Sequence, residues 1–352
     1  MFSGRAFDAG YFRPTIILGI AIQIVGIFTM SVAKNYWQLL MTQGICTGIG
    51  GGIFFVPIMS LCSTYFAKRR GMAIGIVTSG NSVGGIIYPI VVRELLGKVG
   101  FGWTVRVLGF INIISLAIVI AFMKPRLPPR KTGPLIDMDA FRDPPYLIHI
   151  LGMCFIMPPV YFVFYYVCLS RAFILLFLLT LTQVASFARE ELGMAYTTSL
   201  NLVIILNGVG VPARVLPGYI ADHYLGVLNT FWLCIMCTMV IFWAWLGVNS
   251  IPGYYAFITL YGLFSAAFQS LFPTTIAALS NDITKTGTRL GMSFTAIGFS
   301  ALVGGPIAGA IVKAEGGYVG VICWASVSTL VGALLIGWAR ACKHGWGWTK
   351  RC

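Results

Sequence analysis

The chain has 352 residues, 58% of them apolar and 10% charged, with a formal net charge of +14. Soluble domains carry about 25% charged residues, so a surface this poor in charge faces something other than water. The positive balance does not mark a nucleic-acid partner: Lys and Arg stand in short clusters between apolar runs, at Lys68 to Arg70, Lys124 to Lys131, Lys285 with Arg289, and the C-terminal tail.

Predominantly apolar runs recur at the length that crosses about 30 Å of hydrocarbon, about 20 residues at about 1.5 Å each. Ten spans are predicted, at 14–33, 37–61, 71–92, 102–123, 146–168, 196–220, 229–248, 253–271, 289–312 and 318–339. The fold class is all-α, polytopic and membrane-embedded, with the lipid bilayer as its surroundings. A charged turn, Gly4, Arg5, Asp8, Gly10 and Arg13, opens the chain just before the first span. With that turn on the cytoplasmic side, most Lys and Arg in the loops fall there too, as the positive-inside rule requires. The longest polar connection, 124–145, is rich in Pro and charge and reads as a cytoplasmic linker. It divides an N-terminal bundle of four spans (1–123) from a C-terminal bundle of six (146–352).

Residues 146–185 form a nearly continuous apolar run, twice the length of one span. Two helices there would turn Lys285, Arg289 and the basic tail to the outside, so charge bias favours one. Residues 167–183 are therefore expected to be an insert, a translated fungal intron. Val167-Cys168 can be encoded by a donor sequence, a Leu-Thr pair by a branch point, and Gln183 by an acceptor. The alternative is a long or re-entrant helix.

Within the spans, chemistry is sparse. Cys234 and Cys237 form a CxxC pair in mid-span with no histidine near, and His149, His223 and His344 are far apart in sequence. No metal or other cofactor is expected. No GxxxxGK[ST] loop is present, which argues against a nucleotide-driven pump, and the acids and histidines are not grouped as an intramembrane enzyme would need. Arg214 is the cation deepest inside a span, and an ionisable residue there is a functional candidate by default. It lies about 9 Å from the cytoplasmic end, so it can also snorkel or pair with Asp222.

Two internal echoes flank the linker. Gly71-Met72 followed by Gly84-Gly85 recurs as Gly291-Met292 followed by Gly304-Gly305, at an offset of 220 residues. Gly4 to Asp8 recurs as Gly218 to Asp222, at an offset of 214. Two homologous halves are expected.

On these residues the chain resembles the major facilitator superfamily, and within it the fungal monocarboxylate-transporter-like branch. Gly4 to Arg13 is similar to the turn between its second and third helices. Tyr65-Phe66-Ala67-Lys68-Arg69-Arg70-Gly71-Met72 through Gly84 resembles the entry to its fifth helix, and Ala213-Arg214 through Pro217-Gly218 to Asp222 the end of its eighth. The resemblance implies two six-helix bundles that rock about a central cavity, and so two helices ahead of the first span here. It implies a secondary active transporter of small organic solutes, monocarboxylates or secondary metabolites, with protons as a candidate coupling ion. The alternative is a truncated, non-transporting membrane protein. Arg214 is the implied substrate-binding residue, and Asp8, Arg13, Arg69, Arg70 and Asp222 the implied gating residues. The chain departs from the pattern at Gly210, where proton-coupled members can carry an Asp one turn before the Arg. The expected location is the plasma membrane, with a vacuolar or other internal membrane as the alternative.

Overall fold

In the computed structural model the described residues are 2–66, 68–125, 136–165, 196–280, 282 and 285–345. The insert expected at 167–183 lies outside them. The first four helical bodies are α1 (Phe2–Asp8), α2 (Phe12–Met30), α3 (Tyr36–Tyr65) and α4 (Arg70–Phe122). After a short 3-10 turn (Met138–Arg142) come α5 (Pro144–Tyr165), α6 (Tyr196–Ile220, prolonged by a π turn to Leu225) and α7 (Val227–Trp245). The remainder are α8 (Ile251–Leu279), α9 (Thr286–Glu315) and α10 (Val319–His344). Among the described residues there is no strand.

Nine of the described helices are long and apolar enough to cross a membrane. One of them, α4, is two spans in one: it bends at Gly100, whose φ of 75° and ψ of 173° suit only glycine. Split there, it yields the two spans predicted at 71–92 and 102–123, with the chain reversing at Gly100: the Tyr65 hydroxyl, just before the first, donates to the Lys124 carbonyl, just after the second, at 2.7 Å. Outward faces stay apolar. Phe299 and Leu302 of α9 and Leu334 of α10 are 68%, 73% and 63% exposed, a surface that belongs against lipid tails.

One core lies within the first half, where Phe12, Ile16 and Ile20 of α2 pack with Ile58, Leu61 and Leu116. A larger cluster, centred in the second half around Met153, Ile156, Phe231, Phe268 and Ile322, reaches into the first through Val56 and Met59 of α3 and Ile74 of α4. The halves meet along two seams, α4 against α6 and α1 against α9. Glycine makes both seams close. A Cβ at Gly218 would collide with the Gly71 carbonyl, and one at Gly4 with the Gly287 carbonyl.

The seams correct the predicted offset of 220. Gly71 faces Gly218 and Asp222, and Gly287 faces Gly4 and Asp8, with Gly291 one turn on also against Gly4. The second half therefore aligns one helical turn earlier, because Gly287-Thr288 carries the contact without repeating the Gly-Met pair that catches the eye. Nor does the far end of the linker float free in solvent. Asp137 is 5% exposed and binds Lys285 Nζ at 2.9 Å and Arg289 Nε at 2.9 Å.

Candidate functional site: a cavity between the halves and the contacts that close one face

Asp8 ends α1 and reaches the first turn of α9. Its carboxylate accepts from the backbone amides of Gly287 at 3.2 Å and Thr288 at 2.7 Å, and from the Thr288 hydroxyl at 2.7 Å. Asp222 does the same for α4 from the opposite half, accepting from the amides of Gly71 at 3.0 Å and Met72 at 2.8 Å. The first amides of a helix lack intrahelical partners and carry the positive end of its dipole, so a carboxylate there satisfies both. Each half thus caps a helix of the other with the same Gly-x-x-x-Asp element.

The two caps differ in their surroundings. Burial pushes the Asp8 carboxyl up to about 6 against the hydrogen bonds from Thr288 and Gly287 and the nearby Arg5 charge. Around α9 a strap of ion pairs holds the helix start: Lys285 Nζ also meets Asp139 at 2.6 Å, and Arg289 Nη1 meets Asp143 at 3.0 Å. The Tyr146 hydroxyl donates to the Arg289 carbonyl at 2.8 Å, and its ring lies under the guanidinium. Burial opposes ionisation of Asp137, but its hydrogen bonds from Lys285 and Arg289 win and hold its carboxyl below the usual range. At the other seam, Arg70 is within electrostatic reach of Asp222 and donates to the Phe66 carbonyl at 3.3 Å. Arg13 and Arg69 are exposed, and their side chains make no hydrogen bond or ion pair with the described residues.

Away from these caps, toward the middle of the helices, lies a cavity of about 710 Å³ walled by both halves. Gln23, Gln43, Asn81, Tyr88 and Asn112 line it from one half, and Tyr161, Asn207, Ser265, Gln269 and Arg214 from the other. Gln43 and Thr47 enter it from a π-helical stretch of α3, Leu40–Thr47, where the wider turn redirects side chains. Among the described residues, the lining contains one cation, many neutral amides and hydroxyls, and no carboxylate.

Arg214 is 8% exposed, and its Nε donates to the Ser82 hydroxyl at 2.9 Å. The rest of its guanidinium makes no hydrogen bond with the described residues. Of the two structural roles left open by the sequence, neither is what is seen. Asp222 has both oxygens on α4 amides, and Arg214 lines the cavity instead of reaching for the face. Gly210 explains how Ser82 fits: a Cβ there would lie 2.7 Å from the Ser82 Oγ. The position that departs from the proton-coupled pattern is the one that makes room for the hydroxyl.

Among the glycines of α3 and α4, Gly50, Gly75 and Gly85 abut the α2 backbone, the Arg214 carbonyl and the Asn207 side chain, whereas Gly48, Gly51, Gly52 and Gly80 have open space beside them. Sequence reasoning weighed only charges inside spans and so passed over the amides. Gln23, Gln43, Asn81, Asn112, Asn207 and Gln269 all lie within predicted spans, where an unpartnered amide is costly, and that was the available signal. Cys234 is buried, and neither it nor Cys237 is in a disulfide. The described residues hold no cluster of three or more potential metal ligands.

The family model described as Major Facilitator Superfamily matches residues 1–258. A Gibberella zeae protein described as an MFS-type transporter is 38% identical over 95% of this chain and 73% of its own length. The riboflavin transporter MCH5 of Saccharomyces cerevisiae is 30% identical over 99% of this chain and 68% of its own. Among solved structures, the human organic anion transporter MFSD10 superposes with a TM-score of 0.74 at 13% identity, over 95% of this chain and 79% of that one. The Escherichia coli fucose:proton symporter FucP gives 0.72 at 12% identity, over 96% and 86%. The chain is a multi-pass membrane protein of the fungal transporter type, and it belongs to the major facilitator superfamily.

Proposed function

We propose that the chain is a secondary active transporter of small organic anions, monocarboxylates or acidic secondary metabolites, working by alternating access. The observation that carries this reading is Arg214: a buried guanidinium on the cavity wall, tethered through Nε alone, with its other donors left for a ligand. A guanidinium matches a carboxylate in two parallel hydrogen bonds, and the surrounding amides and hydroxyls suit the carbonyls and hydroxyls of an oxygenated metabolite. The cavity volume admits molecules larger than the simplest monocarboxylates. A relative is named as a riboflavin transporter, whose solute is oxygenated but uncharged, and a protein of like fold as an organic anion transporter.

Alternating access needs contacts made in one state and broken in the other. Asp8 and Asp222, with Arg70 beside the second, are suited to that: their caps join the halves at the face that is closed here. By the charge distribution that face is cytoplasmic, and the cavity is reached from the opposite side of the plasma membrane. Reconstitution into liposomes tests the reading. Vesicles holding the protein and preloaded with a defined mixture of organic anions should take up isotope-labelled organic anions from a metabolite mixture outside, read by mass spectrometry, while protein-free vesicles should not. Uptake confined to neutral or cationic solutes would exclude it.

A further inference from the structure

Arg214 poses an electrostatic problem that its neighbours do not solve. Its one hydrogen bond runs to a neutral hydroxyl, Ser82. Asp222, eight residues on, is about 12 Å away along the helix and has both oxygens held by the amides of Gly71 and Met72. No described acidic side chain lines the cavity. The site where a carboxylate would naturally stand, one turn back on the same helix, is Gly210, and the Ser82 hydroxyl fills the space.

While the cavity is open, water and its ions can screen that charge. To change sides, the protein must pass through a state closed to both, with the cavity dry. A guanidinium left there without a counter-ion is heavily penalised, whereas one paired with a carboxylate is not. With no carboxylate among the described residues to take that part, the charge is tolerated in the closed state when cargo supplies the anion. On this ground we infer that the protein is an obligatory anion exchanger: it reorients when loaded with an organic anion and stalls when empty. The inference rests on the organic-anion reading above for the identity of the counter-ion. It goes further by assigning the mode of coupling, one anion out for one anion in, and by assigning Ser82 and Gly210 as the residues that keep Arg214 unpaired. With a monoanion aboard, Arg214 and its cargo cross together as a neutral pair.

The test needs no known substrate. Donor and acceptor dyes are attached through unnatural amino acids at Lys68 and Tyr224, two exposed positions that flank the Asp222 contact from opposite halves. Single full-length molecules in nanodiscs, in buffer free of organic anions, are then followed by energy transfer. Wild type is expected to dwell in one state, and Arg214→Gln to switch at least tenfold more often. The double variant Ser82→Ala with Gly210→Asp, which puts a carboxylate beside Arg214 and clears its space, is expected to switch as readily, and it guards against misfolding of the single variant. Wild type switching as often as both variants in the absence of anions would overturn the inference. Benzoate and citrate are then added to the wild type. Faster switching with either supports both readings. If the variants switch freely but neither anion moves the wild type, the unpaired charge stalls the empty carrier as inferred, and it is the organic-anion cargo that falls.

Discussion

Asp8 and Asp222 are counterparts: each ends a Gly-x-x-x-Asp element in one half and caps the first amides of a helix in the other. The pairing is reciprocal, so neither half can tilt away from the closed face without uncovering two helix starts at once. A charge-assisted hydrogen bond contributes about 1.5–3 kcal/mol, enough for two such caps to bias a two-state equilibrium strongly.

Replacing either carboxylate with alanine removes every acceptor from the cap. Asp8→Ala should raise amide hydrogen exchange at Gly287 and Thr288, and Asp222→Ala at Gly71 and Met72, by about tenfold each, equivalent to about 1.4 kcal/mol. Because the caps share one closure, each variant should also loosen the other seam. Exchange that rises only locally would mean the seams open independently.

Acidity should act through Asp8. With its carboxyl near 6 in the closed form, against an ordinary value of 3.8, the closed face binds a proton more tightly than an open, hydrated Asp8 does. Lowering the pH from 7 through 6 toward 4 therefore favours closure, and raising it above 6 removes that contribution. Protection of the Thr288 amide, corrected for intrinsic exchange, should rise as the pH falls across this window, and Asp8→Asn should abolish the trend.

The small contacts are equally exposed to test. Gly218→Val forces a side chain into the Gly71 carbonyl, and the closed face should no longer form. An energy-transfer pair across that face should report the open state alone. Glycine→Ala at 51, where open space lies beside the helix, should leave the distribution unchanged.

The strap around α9 predicts a gradient. Asp137→Asn deprives Lys285 and Arg289 of their shared partner, although each keeps a second, Asp139 and Asp143. The start of α9 should loosen by about 1–3 kcal/mol, visible as faster exchange at Gly287 and Thr288 with little change at Met72. Asp139→Asn, at a largely exposed position, should do much less.

Much of this architecture was legible in the sequence. Span length and charge placement gave the helices, and Gly4 to Asp8 and Gly218 to Asp222 announced the repeat because glycine is required where two backbones touch. The offset at the other end of each contact was misread by one turn. There the physics asks only for a small residue and two free amides, and Gly287-Thr288 supplies them as well as Gly71-Met72. Arg214 stood out through the cost of a charge in a span. Ser82 did not, since a serine in a helix usually bonds its own backbone, and only the packing of α4 against α6 brings it to the guanidinium. The amides lining the cavity were visible one by one, but their convergence depends on the bend at Gly100 and the π stretch of α3, which local sequence does not reveal.

The most direct test of the central claim is uptake of the transported anion, isotope-labelled, by liposomes preloaded with the same unlabelled anion and carrying either wild type or Arg214→Gln at equal protein density. Saturable uptake by wild type and a loss of at least a hundredfold in the variant, with its folded content intact by size-exclusion chromatography, is the predicted result. Equal uptake by both proteins would contradict it, and would place substrate recognition elsewhere than at Arg214.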